Sequence, residues 1–216
     1  AAGGSGAVTV AVPEAGDIDE NAAAARLGAA LVGDGAETGL RLDPAFTGRA
    51  NLRATGPGIV EIDTDAIHRL NAIDPAITLA TLPQWQRVAE GTMVGTVKMI
   101  AYAVAEDRLE AACRAGAGAI RRRAPVLRDA DLLVTRVAGM PAGRDDKGIA
   151  AVEGRLAALG IALRAVEVVA HETPSLAAAL GRAAGDLSLI LTGSATSDAR
   201  DVGPAALEMA GGRLLR

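Results

Sequence analysis

The chain has 216 residues, half of them hydrophobic, and a formal net charge of −4. This length is sufficient for two modest domains, each with its own core. Because affinity for nucleic acid requires a clustered surplus of Lys and Arg, the acidic balance argues against a nucleic-acid partner. No apolar run reaches the length of a membrane span, so we expect a soluble protein without a membrane partner.

The core must be built almost entirely from aliphatic side chains, since the chain has one Phe, one Trp and one Tyr. The only cysteine, Cys113, lies in an alanine-rich segment of helical composition. An intramolecular disulfide is therefore impossible, and we interpret Cys113 as a small buried hydrophobe rather than a nucleophile. This cysteine usage fits a reducing, cytoplasmic location.

Residues 1–124 predict a mixed α+β domain. In chain order the predicted elements are a strand over 7–12, a helix over 18–32, strands over 51–54 and 59–62, a helix over 64–70, a β-rich segment over 93–104 and a helix over 105–120. The segment Thr55-Gly56-Pro57-Gly58 is typical of a hairpin turn between the two strands that flank it. Thr64 is expected to cap the helix that follows.

Two other features of the sequence are interpreted as structural. The short basic run Arg121-Arg122-Arg123 precedes Ala124-Pro125, which indicates a solvated linker rather than a phosphate or RNA contact. His68 and His171 have no partner at metal-ligand spacing. We therefore expect no metal site built on these two histidines.

Residues 125–216 alternate regularly between strand and helix patterns. The predicted strands are 132–135, 162–169, 187–191 and 213 onward, and the predicted helices are 148–159, 174–184 and 204–210. Such alternation implies parallel strands joined by right-handed crossovers. The predicted fold class is α/β, a C-terminal three-layer, doubly wound, mostly parallel sheet preceded by a smaller mixed α+β domain. The unfinished last strand leads us to expect a C-terminal domain that is truncated.

A hydroxyl-rich turn, residues 192–199, follows the predicted strand 187–191 and precedes a helix start near Pro204. Loops at the carboxyl ends of parallel strands face a crevice, and helix N-termini favour anions. The pattern predicts an anionic ligand here, although an ordinary connection between strand and helix would look similar. Gly193 is expected to permit a tight bend, and Gly211-Gly212 to end the helix.

Two collinear motifs resemble the molybdopterin-binding domain shared by molybdopterin adenylyltransferase, molybdopterin molybdenumtransferase and gephyrin. They are Asp146-Lys147-Gly148-Ile149 with Val152-Glu153 and Leu156, and Thr192-Gly193 with Arg200-Asp201-Val202 and Pro204. The match covers residues 126–216. Leu70-Asn71 and the segments 74–83 and 90–98 resemble the front domain of bacterial molybdopterin-binding proteins. In those proteins the chain begins earlier and continues further, so both ends are expected to be missing here.

The resemblance implies a pterin ligand, molybdopterin, whose terminal phosphate lies in the turn from Thr192 to Ser197. The cofactor-binding residues that it implies are Thr135, Thr192, Gly193, Ser194, Thr196, Ser197 and Arg200. Backbone N–H groups and hydroxyls can hold a dianionic phosphate, and Arg200 can add a charge-assisted hydrogen bond.

The family's acidic residue beside this turn corresponds to Asp201, which is therefore the candidate for catalysis and for binding Mg²⁺. Glu172 is the second catalytic candidate. The alternative role of Asp201 is to cap the helix that starts near Pro204. Asp145 and Asp146 are expected to cap the helix that starts near Gly148.

The chain departs from the family pattern at two places. Ser194 and Thr196 stand at glycine positions of the usual Thr-Gly-Gly-Thr-Gly turn, and His171 stands where adenylyltransferase-like members carry Asp. The loss of glycine limits conformations with positive φ.

Three functions stay open. The first is binding of molybdopterin or molybdenum cofactor in biosynthesis, delivery or sensing, with or without Mg-dependent nucleotidyl or molybdenum transfer. The others are a nucleotide pyrophosphatase or hydrolase of the competence-damage type and a non-catalytic structural module. The family also implies a homo-oligomer.

Overall fold

The computed structural model describes residues 12–139, 143 and 145–215. Contacts divide the chain into two units, Ala1–Ala124 and Pro125–Arg216. In the given sequence, unit 1 spans more residues than unit 2. The predicted strand over 7–12 lies outside the described residues except for Val12. Within the described ranges, no helix is long and apolar enough to cross a membrane.

Unit 1 is mixed α/β, and its described strands form three antiparallel sheets. The elements are β1 (Asp17–Asp19), α1 (Glu20–Val32), α2 (Gly35–Thr38), β2 (Leu40–Leu42), β3 (Arg49–Ala54), β4 (Gly58–Ile62), α3 (Thr64–Asn71), β5 (Ile77–Thr81), β6 (Arg87–Val88), β7 (Met93–Met99), β8 (Ala103–Ala105), α4 (Glu106–Gly116) and β9 (Ile120–Arg123). The sheet orders are β1-β8, β2-β3-β7-β5 and β6-β4-β9. The predicted β-rich segment 93–104 is thus two strands in different sheets.

The predicted hairpin between β3 and β4 is wrong, although both strands exist. β3 pairs with β2 and β7, whereas β4 pairs with β6 and β9. The turn residues that join β3 to β4 therefore carry the chain from one sheet to another. Gly58 suits this close β4–β9 pairing, because a Cβ there would lie 2.1 Å from the Arg123 carbonyl oxygen.

Aspartates cap two of the predicted helices, and at the first of these helices the start is also shifted. Helix α1 begins at Glu20, not at Ile18, because Asp17–Asp19 pairs with β8 and the Asp19 carboxylate accepts from the first helical N–H groups. Asp63, not Thr64, caps α3, and its Oδ1 accepts from the Ala66 N–H at 2.9 Å. A carboxylate at this position satisfies N–H groups that have no partner inside the helix.

The run Arg121-Arg122-Arg123 forms most of β9, so the interpretation as a solvated linker is wrong. The Arg122 guanidinium is half-buried and donates to the Pro57 carbonyl at 2.8 Å, and Arg123 pairs with Glu61. Two of the three arginine side chains therefore have hydrogen-bond or ion-pair partners within unit 1. Cys113 lies half-buried in α4, where burial raises the pKa of its thiol, as expected of a small packed side chain.

Unit 2 contains a parallel sheet of three strands in its described part, and the predicted alternation of strands and helices is confirmed up to the last helix. The elements are β10 (Asp129–Arg136), α5 (Asp146–Ala157), β11 (Ala162–Ala170), α6 (Thr173–Arg182), β12 (Leu187–Leu191) and α7 (Val202–Met209). The strand order is β11-β10-β12. The strand predicted from Arg213 is wrong for residues 213–215, which pair with no strand.

Helices cover both faces of this sheet. Leu156 of α5 packs with Ala130 on one face, and Leu176 of α6 and Ala206 of α7 pack with Leu133 on the other. Helix α7 ends as predicted, because Gly211 adopts a φ of +87° and the Gly212 N–H donates to the Leu207 carbonyl at 2.8 Å.

A buried carboxylate, Asp131, stabilises the sheet of unit 2 near the amino-terminal end of β10. Asp131 is 3% exposed and forms a two-pronged ion pair with Arg164 of β11. It also accepts from the Ala184 and Gly185 N–H groups, at 2.9 and 3.0 Å, before β12 begins. The bond to Arg164, followed by those from the two N–H groups, lowers the pKa of Asp131 to about 2. One side chain thereby links β10 to β11 and to the segment that precedes β12.

Candidate functional site

The strand order places the carboxyl ends of β10 and β12 at a switch point of the sheet. The chain leaves β10 through α5 for the strand on one side, and leaves β11 through α6 for the strand on the other side of β10. Ligands of open α/β sheets bind where the connections diverge in this way. The segment Thr192–Asp201, which we name the β12–α7 loop, starts at this point.

Asp201 holds the β12–α7 loop in a closed turn. Its Oδ2 accepts one hydrogen bond from the Ser197 N–H and a second from the Asp198 N–H at 2.9 Å. The hydrogen bonds from Ser197 and then from Asp198 lower the pKa of the Asp201 carboxyl, which is therefore ionised at neutral pH. The alternative role predicted for Asp201 is wrong, since its carboxylate binds the loop and makes no capping hydrogen bond to α7.

The same arrangement leaves several N–H donors free. Within the described residues, the N–H groups of Ser194, Ala195 and Thr196 have no hydrogen-bond partner. Helix α7 adds Val202 and Gly203 of its first turn, whose N–H groups have no acceptor inside a helix. Successive free N–H groups beside a helix N-terminus form a favourable place for an anion.

Gly193 brings the loop against the end of β10. A Cβ at this position would lie 2.6 Å from the Thr135 carbonyl oxygen, so no larger residue fits without moving backbone. The Gly193 N–H donates to the buried Thr135 Oγ1 at 2.9 Å. The chain bends at Gly193, as the sequence analysis expected, and the glycine also serves this close approach although its φ is not positive.

His171 is the residue of the site that the sequence analysis missed. It follows β11 directly, and its ring lies between two hydroxyls, with Nδ1 2.7 Å from Thr135 Oγ1 and Nε2 2.8 Å from Ser194 Oγ. Its isolation in the sequence concealed this role, because its neighbours come from two other strands. The position at the carboxyl end of a parallel strand was the signal that could have found it.

The structure brings most of the predicted binding residues together, but in different ways. Thr192 and Thr196 lie beside the start of α7, where a Cβ on Gly203 would be 3.7 Å from Thr192 Cγ2 and 3.9 Å from Thr196 Oγ1. The Arg200 side chain is 94% exposed and lies 3.8 Å from the Asp198 carboxylate. Glu172 is exposed, and no side-chain hydrogen bond in the described residues ties it to the loop.

The predicted cap at the start of α5 is wrong for Asp145. Its carboxylate makes no capping hydrogen bond. Instead, Asp145 Oδ2 accepts from Arg136 Nη2 at 2.8 Å and from Arg136 Nε at 3.0 Å. An arginine at the end of β10 attracts this carboxylate more strongly than the neutral N–H groups of the helix do, since both partners are charged.

The described residues contain no group of three or more His, Cys, Asp and Glu side chains that could hold a metal ion. Asp198 and Asp201 are the two acidic residues of the β12–α7 loop, and one carboxylate oxygen of Asp201 already accepts hydrogen bonds from two N–H groups. A magnesium ion at this place would be coordinated mainly by phosphate oxygens and water, as Mg²⁺ usually is in phosphate-binding sites.

Comparison of the chain with family models, with curated proteins and with solved structures gave no match. The resemblance of residues 126–216 to the molybdopterin-binding domain therefore stays a prediction from its motifs.

Proposed function

We propose that unit 2 binds a phosphorylated small molecule in the β12–α7 loop, and that this ligand is molybdopterin. The observation that carries the proposal is the closure of the loop by Asp201, which leaves the N–H groups of Ser194, Ala195 and Thr196 free at the switch point of a parallel sheet. The choice of molybdopterin rests on the motif resemblance alone.

The chemistry of the loop suits a terminal phosphate. Its free N–H groups and the first turn of α7 supply fixed donors, and Ser194, Thr196 and Ser197 supply hydroxyls close to them. The exposed Arg200 is free to reach an anion, because its pairing with Asp198 spans 3.8 Å in solvent and contributes little. Together these donors would offset the acidic balance of the chain.

The wider proposal follows the family. Unit 2 would serve in molybdenum cofactor biosynthesis, delivery or sensing, within a cytoplasmic homo-oligomer. If the protein is catalytic, Asp201 would hold a magnesium ion on the phosphates during nucleotidyl or molybdenum transfer, with Glu172 as the second acidic group. Mg²⁺ bridging phosphate oxygens is the chemistry that such transfers need.

Calorimetric titration of the whole protein with molybdopterin tests the binding proposal. We expect saturable binding that weakens about tenfold in Thr196→Val, because one charge-assisted hydrogen bond is lost. Ser188→Ala is the matched control, since Ser188 is an exposed hydroxyl of β12 outside the loop. Absence of binding to the unaltered protein would contradict the proposal. Binding of ADP in its place would favour the hydrolase alternative.

Turnover tests the catalytic part separately. If Asp201 holds magnesium, Asp201→Asn should abolish Mg-dependent release of pyrophosphate while molybdopterin still binds, because Asn keeps an oxygen that can accept from the loop N–H groups. Unchanged turnover in this variant would exclude Asp201 from catalysis.

A further inference from the structure

His171 joins two hydroxyls that belong to different strand ends. The backbone N–H of His171 donates to the Arg136 carbonyl oxygen at 2.9 Å, which fixes His171 beside the end of β10. Its ring then bridges the buried Thr135 and the exposed Ser194 of the β12–α7 loop. A neutral imidazole has one N–H donor and one acceptor, so the tautomer decides what each hydroxyl does.

The buried hydroxyl determines the tautomer. Thr135 is 0% exposed, and its Oγ1 accepts from the Gly193 N–H. Within the described part of the chain, the only other hydrogen-bond partner of this hydroxyl is His171 Nδ1. The Thr135 proton therefore has one acceptor, the Nδ1 lone pair, and a buried hydroxyl proton without an acceptor would cost free energy.

The rest of the chain of hydrogen bonds follows from this first direction. With Nδ1 as the acceptor, the ring proton is on Nε2, which donates to Ser194 Oγ at 2.8 Å. Ser194 then uses a lone pair toward His171 and keeps its own proton for an acceptor outside the chain. The hydrogen bonds thus run in one direction, from the Gly193 N–H through Thr135 and His171 to Ser194, and each bond polarises the next.

We propose that His171 is a positioning residue that, as the neutral Nε2–H tautomer, makes Ser194 a hydrogen-bond donor toward an unprotonated ligand oxygen. This inference rests on the proposed function, because the oxygen is that of the bound phosphate. The same tautomer also restricts the chemistry that His171 can perform on Ser194. Nε2 has no lone pair to take the Ser194 proton, so His171 does not activate Ser194 as a nucleophile.

Nitrogen NMR of the ligand-free protein tests the direction of the protons. The chain has two histidines, His68 and His171, so ¹⁵N-labelled histidine gives two assignable rings. We expect the shifts of an Nε2–H tautomer for His171, and a loss of this preference in Thr135→Val, which has the same shape without the hydroxyl. The exposed His68 of α3 is the internal control. An Nδ1–H ring or an imidazolium at His171 in the unaltered protein at neutral pH would overturn the proposal.

Titration of the whole protein with inorganic phosphate tests the consequence for the ligand. We expect Ser194→Ala and His171→Phe each to weaken phosphate binding about tenfold, and the double variant to be no weaker than either, because both remove the same donor. Ser188→Ala should bind like the unaltered protein. Independent losses that add in the double variant would overturn the positioning role.

The two failures are distinguishable. If phosphate and molybdopterin do not bind to the unaltered protein, the proposed function fails, and the role of Ser194 toward a ligand fails with it, whatever the tautomer. If they bind and His171→Phe leaves the affinity for phosphate unchanged, the proposed function stands and the inference about His171 is wrong.

Discussion

Asp131 shows how one residue can make a fold sensitive to acid. Its carboxylate is ionised in the folded protein, where bonds from Arg164, Ala184 and Gly185 hold its pKa at about 2 instead of 3.8. A carboxyl with a lowered folded pKa contributes stability that is complete above its unfolded pKa and declines as the pH falls. The contribution of Asp131 should therefore be present above pH 3.8 and be lost by a pH of about 2.

The first prediction concerns Asp131→Asn. We expect a lower melting temperature at neutral pH than in the unaltered protein, and a difference that shrinks as the pH falls from 4 toward about 2, because the unaltered carboxyl then becomes neutral as well. Calorimetric melting over this pH range measures both. Glu208→Gln, at an exposed carboxyl of α7, is the control. A difference that is independent of pH would contradict this explanation.

The second prediction separates Asp63 from its neighbour. Asp63→Ala should lower the free energy of unfolding by about 1 kcal/mol, because the Ala66 N–H loses its acceptor at the start of α3. Thr64→Ala should change it by less than about 0.5 kcal/mol, since this exposed side chain makes no capping bond. Urea unfolding of both variants measures the two values. Equal losses would show that Thr64 shares in the cap.

The third prediction compares two glycines of the site. Gly193→Ala should destabilise the protein by about 1–3 kcal/mol, because its Cβ would lie 2.6 Å from the Thr135 carbonyl oxygen. Gly203→Ala should be neutral or stabilise by about 0.5 kcal/mol, since its nearest neighbour is 3.7 Å away and alanine favours a helix. Urea unfolding gives both values. A stable Gly193→Ala protein would mean that the loop can move away from β10.

At the scale of the elements, periodicity identified strands better than it identified their partners. Alternating burial along β3 and β4 agrees with the predicted strands, yet the two lie in different sheets. A turn sequence such as Thr55-Gly56-Pro57-Gly58 reports local backbone shape, whereas the partner of β4 is β9, which comes much later in the chain. In unit 2 the parallel pairing was predictable, because short crossover helices leave few alternatives.

The candidate site shows the same division between local and distant information. The hydroxyls of Thr192–Ser197 were visible as a run in the sequence. The contacts of His171 were not, since Thr135 precedes it by 36 positions and Ser194 follows it by 23. The contact of Asp201 with the N–H groups of Ser197 and Asp198 depends on how the loop closes. From the residue types alone, a helix cap was as well supported as a role in binding Mg²⁺.

The fourth prediction tests the pairing of β4. In a Cys113→Ala background, oxidation should form a disulfide in Glu61→Cys/Arg121→Cys, because these residues are directly opposite each other in the β4–β9 ladder. The pair Arg53→Cys/Val60→Cys, which a β3–β4 hairpin closed by the turn Thr55–Gly58 would place directly opposite each other, should stay reduced. Intact mass and thiol titration measure both products. A disulfide in the second pair alone would support the hairpin.

At the scale of the whole molecule, the core divides with the chain. Among the residues that the structure describes, one cluster of buried apolar residues belongs to unit 1, and two clusters lie on the two faces of the sheet of unit 2. Unit 2 also contains both partners of the Asp131–Arg164 ion pair. A unit with its own core is expected to fold alone.

The fifth prediction follows from this division. A polypeptide of residues 125–216 should unfold cooperatively in urea, and Asp131→Asn should lower its stability by the same amount as in the whole chain, since every described partner of Asp131 is included. Circular dichroism measures both transitions. A fragment without a cooperative transition would show that unit 1 is needed for unit 2 to fold.

The order of the strands in unit 2 also bears on its synthesis. Among the described strands of unit 2, β10 comes first in the chain and lies in the middle of the sheet, and β11 and β12 each pair with it rather than with each other. Each new strand that leaves the ribosome therefore meets an edge that already exists. These three strands can assemble outward from β10 during translation, and the β12–α7 loop is completed only after the three strands that support it.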